Sequence, residues 1–177
     1  MFSQRLIIWI HLGLLALTGL APYGNAQTRT ELALHKLAAR WTDAFRRQDA
    51  RELASLEADQ VEIVDRFGVS HQLANAREKE ELWANGFEIV AKDSTAPEFG
   101  TERLHIVAPH VAIINVWVNF SDGIELVDGA LIPPHRENHS LVAVETPSGW
   151  LIASLHIHDE TASEEYMRLQ LAKPPSP

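Results

Sequence analysis

The chain has no cysteine, which excludes disulfide staples, thiolate zinc sites, iron–sulfur clusters and thiol nucleophiles. It also lacks any concentration of positive charge. Its 15 Lys and Arg are scattered among 24 Asp and Glu, for a formal charge of −9. Binding to phosphate backbones needs clustered basic groups, so neither a nucleic acid nor an anionic membrane surface is an expected partner. No G-x-G-x-x-G, Walker A, G-x-S-x-G or H-E-x-x-H pattern occurs. Dinucleotide, P-loop, serine-hydrolase and zincin chemistry are therefore unsupported. Internal repeats and low-complexity tracts are missing as well.

What is present is an ordinary globular composition, 46% hydrophobic and 22% charged over 177 residues. That is enough for one domain with its own core. Arg5, an apolar run over 6–20 and the small-residue tripeptide Gly24-Asn25-Ala26 have the layout of a secretory leader. Cleavage is expected after Ala26, giving a secreted or periplasmic protein with no membrane attachment afterwards. The chain then divides into a leader (1–26), a folded domain (27–160) and a tail (161–177) with a short helix over 162–172 and a Pro-rich end.

Within the domain, Leu34, Leu37, Ala38, Trp41, Ala44 and Phe45 recur at three and four, predicting an amphipathic helix over 31–48. Asp49 with Glu52, and Asn75 with Glu78, are capping patterns that open a second and a third helix. Between these helices, alternation around Val61 and Val69 with Gly68 between them predicts a hairpin. After residue 97 the period changes to two, with strands expected over 101–108, 111–120, 125–132, 139–145 and 150–158. Pro133-Pro134 and Pro147-Ser148-Gly149 act as separators. Helices first and strands second is an α+β order. The expected architecture is a cone: a strongly curved antiparallel sheet wrapped around three helices.

Polar residues at positions where the strand period expects core mark the candidate site. On strand 150–158, Trp150, Ile152, Ser154, His156 and His158 share one face, and Leu151, Ala153, Leu155 and Ile157 the other. On strand 111–120, Asn115 and Trp117 stand on the face opposite Val116 and Val118. The mixed faces read as the lining of a cavity. The purely apolar faces, with Leu151, Leu155, Val116 and Val118, read as a homodimer surface. Asp65, His139 and His156 are expected to converge inside the sheet, with Trp41 and Trp117 as walls and Asn115 and Ser154 as further contacts to a small-molecule ligand. In that arrangement Asp65 orients His156 for proton transfer. His156 and His158 also fit two imidazoles on a metal, with His105, His139 or Asp65 as third ligand. A structural site needs four converging ligands, so no metal and no cofactor is expected. His35, His110 and His135 fall on a helix flank or in turns and receive no role.

Trp41-Thr42-Asp43-Ala44-Phe45, Gln48-Asp49-Ala50, Val64-Asp65-Arg66-Phe67-Gly68, His110-Val111-Ala112-Ile113 and the run from Ser148 through Trp150 to His156 resemble the SnoaL-like proteins. The SgcJ/EcaC group of the nuclear transport factor two-like superfamily is the most similar pattern. Pro133-Pro134-His135-Arg136 has no counterpart in it, and Leu151 stands where that group usually carries a basic residue. The resemblance implies the cone fold, an apolar pocket, dimerisation through the outer sheet face and, in the enzymes, cofactor-free proton abstraction by carboxylates and histidines. The functional expectation is an exported domain binding a small organic ligand. The alternatives are an acid–base enzyme of isomerase, dehydratase or cyclase type using Asp65 and His156, and a structural or accessory dimer.

Overall fold

The first helix is built by its apolar stripe. In α1 (Tyr23–Arg46), Leu34, Leu37, Ala38, Trp41 and Ala44 are all buried, one turn apart on a single face. A computed structural model of the chain describes residues 23–91, 94–100 and 103–161. Two compact units are present, Met1–Ala33 and Leu34–Pro177. Of the first, only the opening turns of α1 are described, and everything below concerns the second. The apolar run over 6–20 and the tail helix expected over 162–172 lie outside the described residues. Among the described residues no helix is long and apolar enough to cross a membrane.

Both capping patterns work as the sequence suggests. Asp49 accepts from the backbone N–H of Glu52 at 2.9 Å and opens α2 (Ala50–Ser55). Asn75 accepts from Glu78 N at 3.0 Å and opens α3 (Ala76–Glu88), while the Glu78 carboxylate reaches back to Ala74 N at 2.8 Å. Between them run β1 (Glu57–Val64) and β2 (Ser70–Leu73), an antiparallel hairpin turned at Gly68. The remaining strands are β3 (Glu98–Phe99), β4 (Arg103–Ala108), β5 (Val111–Phe120), β6 (Ile124–Glu125), β7 (Leu131–Ile132), β8 (His135–Thr146) and β9 (Gly149–Asp159).

The seven-stranded main sheet runs β2-β1-β9-β8-β5-β3, with β4 also on β5, and it is not closed. It is mixed: β1 lies parallel to β9, whereas every other pair is antiparallel. The strand expected over 125–132 is instead two short strands, β6 and β7, paired as a separate hairpin. Strand β8 begins four residues earlier than expected, because Pro134 ends where the ladder begins and costs it no N–H.

One irregularity decides which residues face inward. Val142 pairs with Ser154, but the next residue, Ala143, pairs with Ile152, so Ala153 is an extra residue in β9. Such a bulge reverses the inward-outward alternation downstream. Ile152 and Leu155 are consequently both in the core, and Ser154, His156 and His158 turn outward. The dimer surface proposed on Leu155, Val116 and Val118 is corrected by the same observation. These three side chains are 1%, 1% and 0% exposed and belong to one apolar cluster with α1, so that face is the inside of the fold. Only Leu151 of the four lies opposite, paired with the half-buried Val144.

Candidate functional site

The inner face of β8 changes character along its length. Ala143 and Leu141 are apolar, then His139, Glu137 and His135 follow at the same two-residue spacing, and all five are buried. Their inward neighbours are Val116, Val118 and Phe120 on β5, Ile157 on β9, and Asp159 at its end. Polar groups buried beside such walls must be paired. They are paired through a single network.

Arg66, just past β1, holds this end together. Its Nη1 donates to His135 Nε2 at 2.8 Å and lies 3.2 Å from Glu137 Oε1, and its Nη2 donates to Asp159 Oδ2 at 2.8 Å. Because His135 Nε2 accepts from the guanidinium, its hydrogen is on Nδ1, which donates to the carbonyl of Pro133 at 2.7 Å. The His135 ring stacks on Phe120 with centroids 4.7 Å apart. Glu137 turns its other oxygen to His139, whose Nε2 donates at 2.7 Å. Burial pushes the Glu137 carboxyl up, but the hydrogen bond from His139 and the charge of Arg66 outweigh it and hold it below the ordinary carboxylate value. Glu137 is thus an ionised acceptor that fixes the orientation of His139.

His139 is fully buried, and its ring meets Trp41 at 5.4 Å and Phe45 at 5.7 Å, edge-on to both. Phe45 in turn touches Trp83, Phe87 and Phe99. Among the described residues two buried atoms here have no hydrogen-bond partner: Nδ1 of His139 and Nε1 of Trp41. A carboxylate that holds one imidazole nitrogen and leaves the other bare is the arrangement by which a histidine acts as a general base.

The expected site is therefore only partly assembled. Trp41 and His139 do come together inside the fold. The pair Asp65 and His156 does not. Asp65 spends its carboxylate on its own turn, accepting from Phe67 N at 2.9 Å, Val69 N at 3.0 Å and the His71 ring at 3.2 Å. Burial, the largest single influence, pushes this carboxyl up, but the hydrogen bonds from His71, Val69 and Phe67 together bring it below its ordinary value. His156 is exposed on the outer face, in line with Ser140 and Asn115. Asn115, Trp117 and Ser154 share that outer face: Ser140 Oγ donates to Asn115 Oδ1 at 2.6 Å, and Arg136 lies over the Trp117 ring at 4.9 Å. The bulge at Ala153 accounts for Ser154 and His156, and the parity of β5 accounts for Asn115 and Trp117. Among the described residues no group of three His, Asp or Glu side chains is placed to hold a metal ion.

Sequence reasoning missed Arg66, His135, Glu137 and Asp159. The available signal was the alternation His135-x-Glu137-x-His139, hidden by treating Pro133–Arg136 as a connection. A second buried carboxyl, Glu57, was also missed. It accepts from the indole N–H of Trp83 at 2.7 Å, beside Lys79, which donates to the carbonyls of Glu57 at 3.2 Å and Ala58 at 3.0 Å.

A small α+β domain with helices packed on one face of an open sheet, and a paired polar cluster at one end of that face, defines the class of protein. Solved structures share the fold. An uncharacterised protein with a cystatin-like fold from Caulobacter vibrioides superposes with a TM-score of 0.66 at 18% identity, covering 80% of this chain and 99% of that one. A ketosteroid isomerase-like protein from Erwinia carotovora atroseptica gives 0.61 at 13% identity, over 72% and 94%. A candidate dehydratase from the nuclear transport factor two-like family of Streptomyces avermitilis gives 0.57 at 18% identity, over 76% and 97%. No protein-family model and no curated protein sequence matches the chain. The fold is the cystatin-like, nuclear transport factor two-like fold.

Proposed function

We propose that this chain is a SnoaL-like member of the nuclear transport factor two-like superfamily that binds a small organic ligand against the polar end of its inner sheet face, with His139 as the acid–base group. The observation that carries the reading is the state of His139. It is completely buried, its Nε2 is engaged by Glu137, and its Nδ1, beside Trp41, is without a partner among the described residues. A histidine needed only for packing gains nothing from a buried unpaired nitrogen, which costs about 1–3 kcal/mol. Neighbours named as isomerase-like and dehydratase proteins support the same reading by fold alone. No cofactor enters it, and the leader pattern supports export.

Native mass spectrometry of protein purified from its own host tests the proposal. The expected result is a retained organic molecule that His139→Ala loses while remaining folded by circular dichroism. A bare mass for the host protein, together with an His139→Ala variant more stable than the parent, would overturn it in favour of a structural role.

A further inference from the structure

We infer that Arg66 is a positioning residue that decides which of the two histidines beside Glu137 presents a bare ring nitrogen. This rests on the reading of His139 as the acid–base group and adds the residue that selects it.

Strand β8 alone does not make that choice. His135 and His139 stand two residues to either side of Glu137, on the same inward face, and both turn Nε2 towards its carboxylate. His135 Nε2 lies 3.3 Å from Oε1, and His139 Nε2 lies 2.7 Å from Oε2. Each ring is within reach of an oxygen of its own. Both are buried against aromatic side chains, His135 on Phe120 and His139 on Trp41 and Phe45.

The guanidinium removes the equivalence. Nη1 of Arg66 stands 2.8 Å from His135 Nε2 and 3.2 Å from Glu137 Oε1, so its two hydrogens serve one acceptor each. A guanidinium has no acceptor to offer, and a proton on His135 Nε2 would face another donor. The His135 proton therefore stays on Nδ1, where the carbonyl of Pro133 accepts it at 2.7 Å. His135 ends with both nitrogens engaged. Glu137 keeps only Oε2 for His139, which takes the complementary tautomer: Nε2 donates, and Nδ1 is without a partner among the described residues. The shape of the group matters as much as its charge. Nη2 is fixed by Asp159 Oδ2 at 2.8 Å, and a planar fork holds that contact and the gap between His135 and Glu137 together. A lysine ammonium concentrates the same charge at one point and reaches only one of the two.

Proton–nitrogen correlation NMR of the imidazole rings at pH 7 tests the inference, because protonated and bare ring nitrogens resonate in separate ranges. In the parent, His135 should carry its proton on Nδ1 and His139 on Nε2. Arg66→Met should place a proton on His135 Nε2, which then donates to Glu137, and the His139 N–H signal should move upfield as the carboxylate is shared. Arg66→Lys should give the same pattern although it keeps the charge. An arginine that only neutralises Glu137 predicts something else: lower stability in Arg66→Met with every ring proton in its parent position, and a parent-like Arg66→Lys. A parent-like pattern in either variant overturns the inference. If neither variant folds, the parent spectrum decides, since a proton on His135 Nε2 overturns it and a bare Nε2 supports it. Retention of a host molecule is read separately by native mass spectrometry. A bare mass with the expected proton positions removes the ligand reading alone, and a retained molecule with unexpected proton positions removes the selection by Arg66 alone.

Discussion

The indole N–H of Trp83 donates to Glu57 Oε1 at 2.7 Å while Oε2 of the same carboxyl, also buried, has no partner among the described residues. Burial pushes Glu57 up from 4.5 to about 7, against the opposing pull of the Trp83 hydrogen bond and the Lys79 charge. The folded state therefore binds this proton more tightly than the unfolded chain. Its contribution to stability is complete below about pH 4.5, falls as pH rises, and is lost above about 7. The difference is on the order of 3 kcal/mol. Glu57→Gln should flatten urea-derived stability between pH 5 and 8 and exceed the parent at pH 8 by roughly 1–3 kcal/mol. A parent curve that rises over that window would contradict the assignment.

Glu137 behaves in the opposite sense. Its folded value lies below the ordinary carboxylate range, so its contribution is present above about pH 4.5 and is lost as pH falls through the depressed value. It also neutralises Arg66 at a site where the guanidinium is four-fifths buried. Removing one partner of such a network strands the other, so Glu137→Gln should cost about 2–4 kcal/mol at pH 7. The downfield imidazole N–H signal of His139 should disappear with it. Retention of that signal in Glu137→Gln would show that His139 is oriented by something else.

The extent to which these features were legible in the sequence follows the range of the interactions that made them. Local devices were readable. Asp49 and Asn75 cap the helices they precede, and β5 runs over the expected residues because its alternation is unbroken. Non-local devices were not. The bulge at Ala153 is set by pairing with Val142 and Ala143 on β8, and nothing in the alternation of 150–158 announces it. One inserted residue was enough to move His156 from the inside to the outside. His135 and Glu137 were hidden by Pro133-Pro134, which reads as a turn but sits directly before a strand. Arg66 received no role, since its three acceptors lie about seventy to ninety positions further along the chain.

Gly68 and Gly123 share the same left-handed backbone, φ +78°, yet they should not respond alike to substitution. A Cβ on Gly68 meets nothing within 4 Å, whereas one on Gly123 falls 2.3 Å from the carbonyl oxygen of Ile132. Gly68→Ala should cost only the left-handed strain, about 1 kcal/mol. Gly123→Ala adds a collision with the backbone that follows β7 and should cost at least twice as much, with the amide signals of β6 and β7 shifted. Equal losses in thermal unfolding would show that the loop yields.

The expected cleavage after Ala26 bears on α1 directly, because the helix begins at Tyr23 and the cut falls within its first turn. Residues 28–33 are exposed or half-exposed, and Leu34 is the first buried position among the described residues. None of residues 28–33 belongs to the buried core. A frayed first turn costs little, since the first four N–H groups of a helix are unpaired in any case. N-terminal sequencing of host-made protein should begin at Gln27, and a chain starting there should unfold within about 0.5 kcal/mol of one starting at Met1. An N-terminus at Met1 in the cytoplasmic fraction would sink the export expectation. A loss of more than about 1 kcal/mol on shortening would show instead that the opening turn of α1 is part of the fold's stable unit.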